Sequence, residues 1–188
     1  MKTDLLERHR TARRLRGFAS DRRGATALEF GIIATPFFLL MFAIIEVALV
    51  FFNSVTLENG MSETSRLIRT GQVQSQGMSE NQFRAQLCAL IDPLLSCTGN
   101  LTIDVRTFDN FGEADHSDPM DQNGNLIIVP QFDPGDAGDV VMVRVFYTYK
   151  ILTPMMSPLL ANMNGGNRLL ASTAVFRNEP FGSILDSE

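Results

Sequence analysis

The feature that most constrains this chain is an apolar segment near its amino end. Between Phe30 and Phe52 there are 23 residues, of which only Glu46 is charged. As a helix, this segment would be about 34 Å long at a rise of about 1.5 Å per residue, which is enough to cross a bilayer. We therefore predict a transmembrane helix over residues 25–52, with one modest domain after it.

Charge is distributed unevenly on the two sides of this segment. Residues 1–24 hold eight Lys or Arg and three acidic residues, whereas the rest of the chain holds eight basic and eighteen acidic ones. The positive-inside rule then predicts that the basic residues 1–24 lie in the cytoplasm and that residues 53–188 form a domain on the outer side of the membrane. The lipid bilayer is accordingly the first predicted partner.

A second carboxylate, Glu29, stands where the lipid should begin, and a simple anchor does not need it. An ionised side chain in a transmembrane helix costs about 2.5–3.5 kcal/mol by insertion scales, so such groups usually have a partner. Cleavage between Gly24 and Ala25 would create an amine four residues before Glu29, at the positive end of the helix dipole. In a bundle of identical helices, that amine could also come from a neighbouring subunit.

Gly24 followed by Ala25-Thr26-Ala27-Leu28-Glu29-Phe30, after basic residues and before a long apolar helix, resembles the processing site of type IVb prepilins. More narrowly, this sequence, Pro36 and the motif Arg177-Asn178-Glu179-Pro180 resemble the TadE-like family, the pseudopilins of the tight adherence (Flp pilus) machinery. The resemblance implies cleavage after Gly24 by a prepilin peptidase, so that residues 1–24 are a basic cytoplasmic leader and residues 53–188 a periplasmic domain. The large domain after the helix departs from major Flp pilins and favours a minor, pilin-like subunit.

The resemblance also implies roles and partners. Gly24 offers the peptidase a residue without a side chain, Ala25 supplies the amine, Glu29 pairs with an amine, and Phe30 begins the packing surface. The implied partners are the prepilin peptidase, the major Flp pilin, companion pseudopilins and the inner-membrane assembly platform. We expect a single-pass protein of the inner membrane, with incorporation into the pilus as a further expectation.

Other targeting hypotheses remain open. An uncleaved single-pass anchor that presents a periplasmic binding module would leave Glu29 unexplained. A secretory signal peptide has an apolar core of about 7–15 residues and a small-residue cleavage site, and this segment is longer and lacks that site. The Arg22-Arg23 pair suggests a twin-arginine signal, but the apolar segment is also unusually long for that class.

Two residues inside the helix call for separate predictions. Pro36 removes one backbone hydrogen bond and should kink or loosen the helix, while the adjacent Thr35 could satisfy the freed carbonyl. Glu46 lies near the outer end of the segment. We expect its carboxylate to reach the outer headgroups, with a second assembly contact as the alternative.

Beyond the membrane, apolar residues spaced among polar ones predict that the transmembrane helix continues to about Arg69 and stops at Gly71, although Gly60 weakens the helix. Residues 72–77 are typical of a connector. Ser79 should then open a second helix through a capping box with Gln82. Its apolar face would consist of Phe83, Leu87, Leu90, Ile91 and Leu94, with Pro93 bending or closing it.

Period-two alternation predicts strands at residues 101–106, 143–151 and 169–175, and residues 126–129 could add a short edge strand that Pro130 stops. Strands with one polar face favour an antiparallel sheet that buries its other face on the second helix or on the first. The predicted fold class is α+β. It comprises a long N-terminal transmembrane and stalk helix, then a small periplasmic domain with a second helix and an antiparallel sheet of three or four strands.

Cys88 and Cys97 are the only two cysteines. Because the periplasm is oxidising, we predict a disulfide worth about 2–3 kcal/mol, with two free thiols as the alternative. No His lies near enough in sequence to complete a tetrahedral metal site, and the spacing is not that of a redox C-x-x-C pair.

The remaining polar residues predict neither a cofactor site nor a catalytic site. Asp121, Asn123 and Asn125 have the spacing of a calcium loop, but Leu126 occupies the Gly position and no Glu follows at the twelfth. A solvated turn is favoured, with calcium at Asp118 and Asp121 as the alternative. His116 has no catalytic partner in view and is predicted to be a surface residue. No motif predicts an enzyme, a small-molecule substrate or a nucleic-acid partner.

One apolar segment does not fit the alternation of strands. Residues 154–163 include Met155, Met156, Leu159, Leu160 and Met163 between two predicted strands. They are expected to cover the core, and the alternative is a sticky patch for a partner.

Overall fold

The fold was obtained as a computed structural model, and the residues it describes are 24–92, 94–114 and 117–182. The chain divides into two compact units, one up to Ile44 and the other from Ile45 onwards. The second unit is called the body below. Of the predicted leader, residues 1–24, all but Gly24 lie outside the described residues, as do Pro93 and His116.

The first helix, α1, covers Ala25–Arg69 and contains Pro36. Thr35 Oγ1 donates to the carbonyl of Gly31 at 2.8 Å, so this hydroxyl does not bond the Ile32 carbonyl that Pro36 leaves free. Within the body, α1 continues through Gly60. A Cβ at this position would lie 2.6 Å from Ile91 Cγ2, so glycine is what lets α1 and the helix that contains Ile91 approach closely here.

The end of α1 follows the predicted stop. Gly71 has φ +75°, in the left-handed region, and a Cβ at this position would lie 2.2 Å from the ring of Phe181. Both the turn and the aromatic contact therefore require glycine. Helix α2 (Gln72–Ser75) forms one turn where only a connector was expected.

Helix α3 covers Glu80–Ile91, and its predicted capping box is confirmed. Ser79 Oγ accepts from Gln82 N at 3.4 Å, and Ser79 N donates to Gln82 Oε1 at 2.8 Å. The predicted apolar face was partly wrong. Leu90 and Leu94 are about half exposed, because α3 buries only the narrow stripe Phe83, Leu87 and Ile91.

The sheet has three antiparallel strands in the order β1 (Leu101–Phe108), β2 (Val140–Lys150) and β3 (Asn167–Arg177). In the register, Leu101 faces Tyr147 and Lys150 faces Asn167. The α+β prediction is therefore confirmed. The possible fourth strand at 126–129 does not form. Instead Gln131–Asp133 flanks the outer edge of β1, where Val105 N donates to the Gln131 carbonyl at 2.8 Å.

One face of the sheet packs on the two helices. Alternate residues of β1 and β2 enter a single core with α1 and α3, including Leu57, Ile68, Phe83, Leu87, Ile91, Ile103, Val105, Val143 and Val145. Packing of one sheet face on helices is the expected two-layer arrangement. It accounts for the period-two pattern in the strands.

The opposite face of the sheet is also covered around an ion pair. Asp104 is 1% exposed, and its carboxylate accepts from Arg144 NH2 at 2.7 Å and from Arg106 Nε at 3.0 Å. Arg144 lies on the polar face that the alternation in the strands predicts, yet it is only 5% exposed. A buried guanidinium is tolerated here because a carboxylate on the neighbouring strand balances its charge.

Between β2 and β3 the chain makes a short apolar excursion. A 3₁₀ turn (Pro154–Met156) leads directly into α4 (Ser157–Leu160), and a second 3₁₀ turn (Asn164–Gly166) precedes β3. Met156 and Leu160 pack against the core. This excursion lies at the same end of β2 as the site described next.

Candidate functional site

The part of α1 that belongs to the first unit exposes nearly all of its large apolar side chains. In the described chain, α1 is the helix that is long and apolar enough to cross a membrane. Ten large side chains up to Ile44 are at least 38% exposed, among them Leu28, Phe30, Ile32, Ile33, Phe37, Leu40 and Ile44. This surface therefore needs lipid or other helices as its environment.

The predicted processing residues lie together at the beginning of this helix. Gly24 comes immediately before α1, Ala25 is its first residue, and both are exposed. A Cβ built at Gly24 would meet nothing within 4 Å. A larger residue at Gly24 would therefore not disturb the described structure, so an effect of such a substitution would have to come from another molecule.

Glu29 is exposed one helical turn after Ala25, and Phe30 beside it is 69% exposed. Among the residues that the structure describes, no hydrogen bond or ion pair reaches the Glu29 carboxylate. Its predicted pairing would therefore need an amine that is created by cleavage before Ala25, in the same chain or in a neighbouring subunit.

Glu46 has the opposite environment, although it lies on the same helix. It is 1% exposed, and its carboxylate accepts four hydrogen bonds from the body. Leu152 N and Tyr149 OH donate to Oε1 at 3.0 and 3.2 Å, and Thr153 donates to Oε2 from N at 2.9 Å and from Oγ1 at 2.8 Å. Four donors compensate much of the desolvation of this charge.

Tyr149 is suited to donating a hydrogen bond to Glu46. Burial, and then the negative charge of Glu46, raise the pKa of Tyr149 to about 12. The hydroxyl therefore stays protonated at physiological pH and remains a donor. The cluster of Glu46, Tyr149, Leu152 and Thr153 is called the Glu46 clasp below.

Sequence reasoning had no means of finding the Glu46 clasp. The partners lie 103 to 107 residues from Glu46 along the chain. The expectation that Glu46 reaches headgroups or makes an assembly contact stays a prediction. In the described structure, the carboxylate is saturated by its own chain.

The motif at 177–180 closes the other end of the body. Asn178 is buried, and its Nδ2 donates to the carbonyls of Pro134 and Asp136, both at 2.9 Å. Glu179 N donates to the Arg69 carbonyl at 2.8 Å, and its carboxylate pairs with Arg69 Nε at 3.4 Å. The Asn178 contacts join the end of β3 to the loop before β2, and the Glu179 contacts join it to the end of α1. Both residues therefore have a structural role.

Cys88 and Cys97 form a disulfide in the structure. The bond links the last turn of α3 to the loop before β1, and both residues pack against the core. Its formation in the cell stays a prediction that depends on the periplasmic location of the body.

The acidic turn at Asp121 is closed by its own backbone. Asp121 Oδ1 accepts from Asn123 N at 2.9 Å and from Asn125 N at 2.8 Å. The hydrogen bond from the Asn125 side chain is the main cause that lowers the pKa of Asp121. Within the described ranges, no group of three His, Cys, Asp or Glu residues is arranged to hold a metal ion.

Comparison with known proteins gives one finding that bears on this site. The family model described as TadE-like protein matches residues 24–66, which include Gly24, Ala25, Glu29 and Glu46. The resemblance is therefore confirmed over this segment, and it indicates a Tad pilus-associated protein with an N-terminal hydrophobic helix. The matched family is structural rather than enzymatic. Comparisons with curated proteins and with solved structures found no match.

Proposed function

We propose that this chain, which matches TadE-like protein over residues 24–66, is a minor pilin-like subunit needed to assemble tight adherence (type IVb) pili. It is inserted in the inner membrane with its amino end in the cytoplasm and its body in the periplasm. A prepilin peptidase removes the leader after Gly24. The mature subunit then packs its first helix against other pilin-like helices at the assembly platform.

The observation that carries this proposal is the state of Glu29. Its carboxylate lies on an exposed apolar helix with no partner in the described residues, five residues after the glycine at which the chain would be cut. A charge that remains unpaired in lipid is costly. An amine on Ala25, in the same or an adjacent mature subunit, would remove that cost.

Packing provides the rest of the association. Lipid tails are as apolar as leucine, so burying the exposed side chains between helices gains little hydrophobic energy. Van der Waals contact and the polar pair therefore determine which helices associate and in what register. One exposed carboxylate at the start of the apolar segment suits this purpose, because a shift of one helical turn between subunits would break its pair.

Processing can be tested with two glycines in equivalent surroundings. A Cβ meets nothing within 4 Å at either Gly24 or Gly31, so Gly24→Val and Gly31→Val should be equally harmless to the structure itself. Intact mass of the membrane-extracted protein should show chains that begin at Ala25 for the wild type and Gly31→Val. Gly24→Val should retain the leader.

The alternative is an uncleaved envelope anchor that presents a periplasmic binding module. It predicts that wild-type protein and both variants carry residues 1–24 in the membrane. That result would refute the proposed processing and, with it, the pairing assigned to Glu29.

A further inference from the structure

The segment Leu152–Leu160, called the apolar tip below, exposes its apolar side chains although it is firmly attached to the body. Leu152, Met155 and Leu159 are 66%, 65% and 76% exposed, whereas Met156 and Leu160 pack on the core. No charged residue occurs from 151 to 167, between Lys150 and Arg168. An uncharged surface with protruding Leu and Met side chains is typical of a contact site.

The Glu46 clasp determines where along α1 this tip lies. Leu152 N and Thr153 N, the first residues of the tip, bond directly to the Glu46 carboxylate. Glu46 lies six residues before Phe52, the end of the apolar segment. At the helical rise, that is about 9 Å inside the segment.

Because the Glu46 clasp lies inside the apolar segment, the outer boundary of the lipid could be either before the clasp, at Ile45, or after it, at Phe52. If lipid ended at Ile45, the apolar helix from Phe30 would span only about 24 Å, less than the hydrocarbon thickness of about 30 Å. Phe51 and Phe52, which are 67% and 54% exposed, would then face water. If lipid extends to Phe52, the apolar tip is immersed, and its composition suits that environment.

We propose that the apolar tip inserts into the outer leaflet of the bilayer that α1 crosses and forms a second contact of the body with lipid. Lys150 and Arg168 flank the tip. Lys150 is exposed, so its ammonium group can reach lipid phosphates at the leaflet surface, whereas Arg168 NH1 donates to the Leu160 carbonyl at 2.7 Å. The occupant of this surface is thus the membrane itself, continuous with the lipid around α1.

The insertion also accounts for a carboxylate within the apolar segment. A charge at this depth is tolerated only when protein groups surround it. The tip supplies two backbone N–H groups and a hydroxyl to Glu46, and leaves the carboxylate 1% exposed. Immersing the tip therefore does not expose the charge to lipid.

Tryptophan fluorescence provides the test, because the chain contains no Trp. Full-length Leu159→Trp is reconstituted in phosphatidylcholine vesicles with and without bromine on the acyl chains, which quench Trp by contact. Phe38→Trp, on the exposed helix, is the positive control. The tip variant should lose most of its fluorescence in brominated lipid, as the positive control does.

Val129→Trp is the matched negative control. Val129 is 72% exposed and lies far from the tip. Its carbonyl accepts a hydrogen bond from Arg106, and Arg106 stands opposite Met142 in the register of β1 and β2. Met142 is eight residues from Lys150, about 26 Å along the strand. This Trp should emit equally in both kinds of vesicle.

Met155→Trp repeats the measurement at a second position, so that one poorly folded variant does not decide the outcome. If both tip variants behave like Val129→Trp, the tip faces water and the proposal is refuted, whether or not a protein binds there. Because the measurement does not depend on cleavage after Gly24, it can fail or succeed independently of the proposed pilin function.

Discussion

Two of the carboxylates of α1, Glu29 at the start of the apolar segment and Glu46 inside it, differ in where their partners lie. Glu46 receives four hydrogen bonds from its own body and is almost inaccessible, whereas Glu29 is exposed and has no partner in the described chain. A charge that is saturated internally stabilises a fold. A charge that is left unpaired on an apolar helix favours binding to another group, so the contacts of Glu46 favour a role in stability and the proposed assembly role falls to Glu29.

The largest expected effect is the loss of pili in Glu29→Gln. Removing the charge would remove the proposed pair between Glu29 and the Ala25 amine, and each loss of about 1.4 kcal/mol in one contact lowers its equilibrium constant about tenfold. We expect few or no pili by electron microscopy, with normal membrane insertion. Thermal unfolding of the body should be unchanged.

Glu58→Gln is the matched control for this change. Glu58 lies on α1, is exposed and likewise has no partner in the part of the chain that is described, but it follows the apolar segment. This variant should assemble normally. Equal loss of pili in both variants would show that surface charge in general, and not the position of Glu29, is what matters.

Glu46→Gln, in contrast to Glu29→Gln, should lower the free energy of unfolding of the body by about 2–4 kcal/mol. The amide that replaces the carboxylate cannot accept hydrogen bonds from all four donors, and its NH₂ group would face at least one of them. Denaturant unfolding of the detergent-solubilised protein, followed by circular dichroism, measures this loss. A stability equal to that of the wild type would mean that the clasp contributes little.

The disulfide should contribute about 2–3 kcal/mol, since it closes a loop of nine residues' separation in the body and restricts the unfolded chain. Adding reductant should lower the unfolding midpoint of the wild type. The double variant Cys88→Ser, Cys97→Ser should no longer respond to reductant. An unchanged wild-type midpoint would favour free thiols.

The smallest effect is expected for Tyr149→Phe, at about 1 kcal/mol. This substitution removes one of the four donors to Glu46 and keeps the buried ring, so only a single hydrogen bond is lost. The same unfolding measurement applies. A loss as large as that of Glu46→Gln would assign the clasp mainly to the tyrosine.

Local signals in the sequence predicted most of the fold. The capping box at Ser79, the stop at Gly71 and the strand alternation each depend on residues that are close in the chain, so the prediction needs no tertiary information. The expected apolar face of α3 failed at Leu90 and Leu94. Periodicity shows which residues share a face but not how much of that face a neighbour covers.

Pairings between distant residues could not be predicted. Asp104 and Arg144 are 40 residues apart, and the Glu46 clasp joins residues more than 100 apart. Each charge on its own is typical of a solvated residue, and only the register of the strands brings the partners together. The processing residues could be predicted because their pattern is contiguous along the chain, and they stay a prediction.

The most direct test of the account is zero-length carbodiimide crosslinking of the assembled membrane fraction, which joins a carboxylate to an amine in contact with it. After cleavage, the only amines of the chain are the amino terminus of Ala25 and the side chain of Lys150. Mass spectrometry should identify a peptide in which the Ala25 amine is joined to Glu29, of the same subunit or of a neighbour. Chains that still begin at Met1, with Glu29 free of any crosslink, would contradict the account.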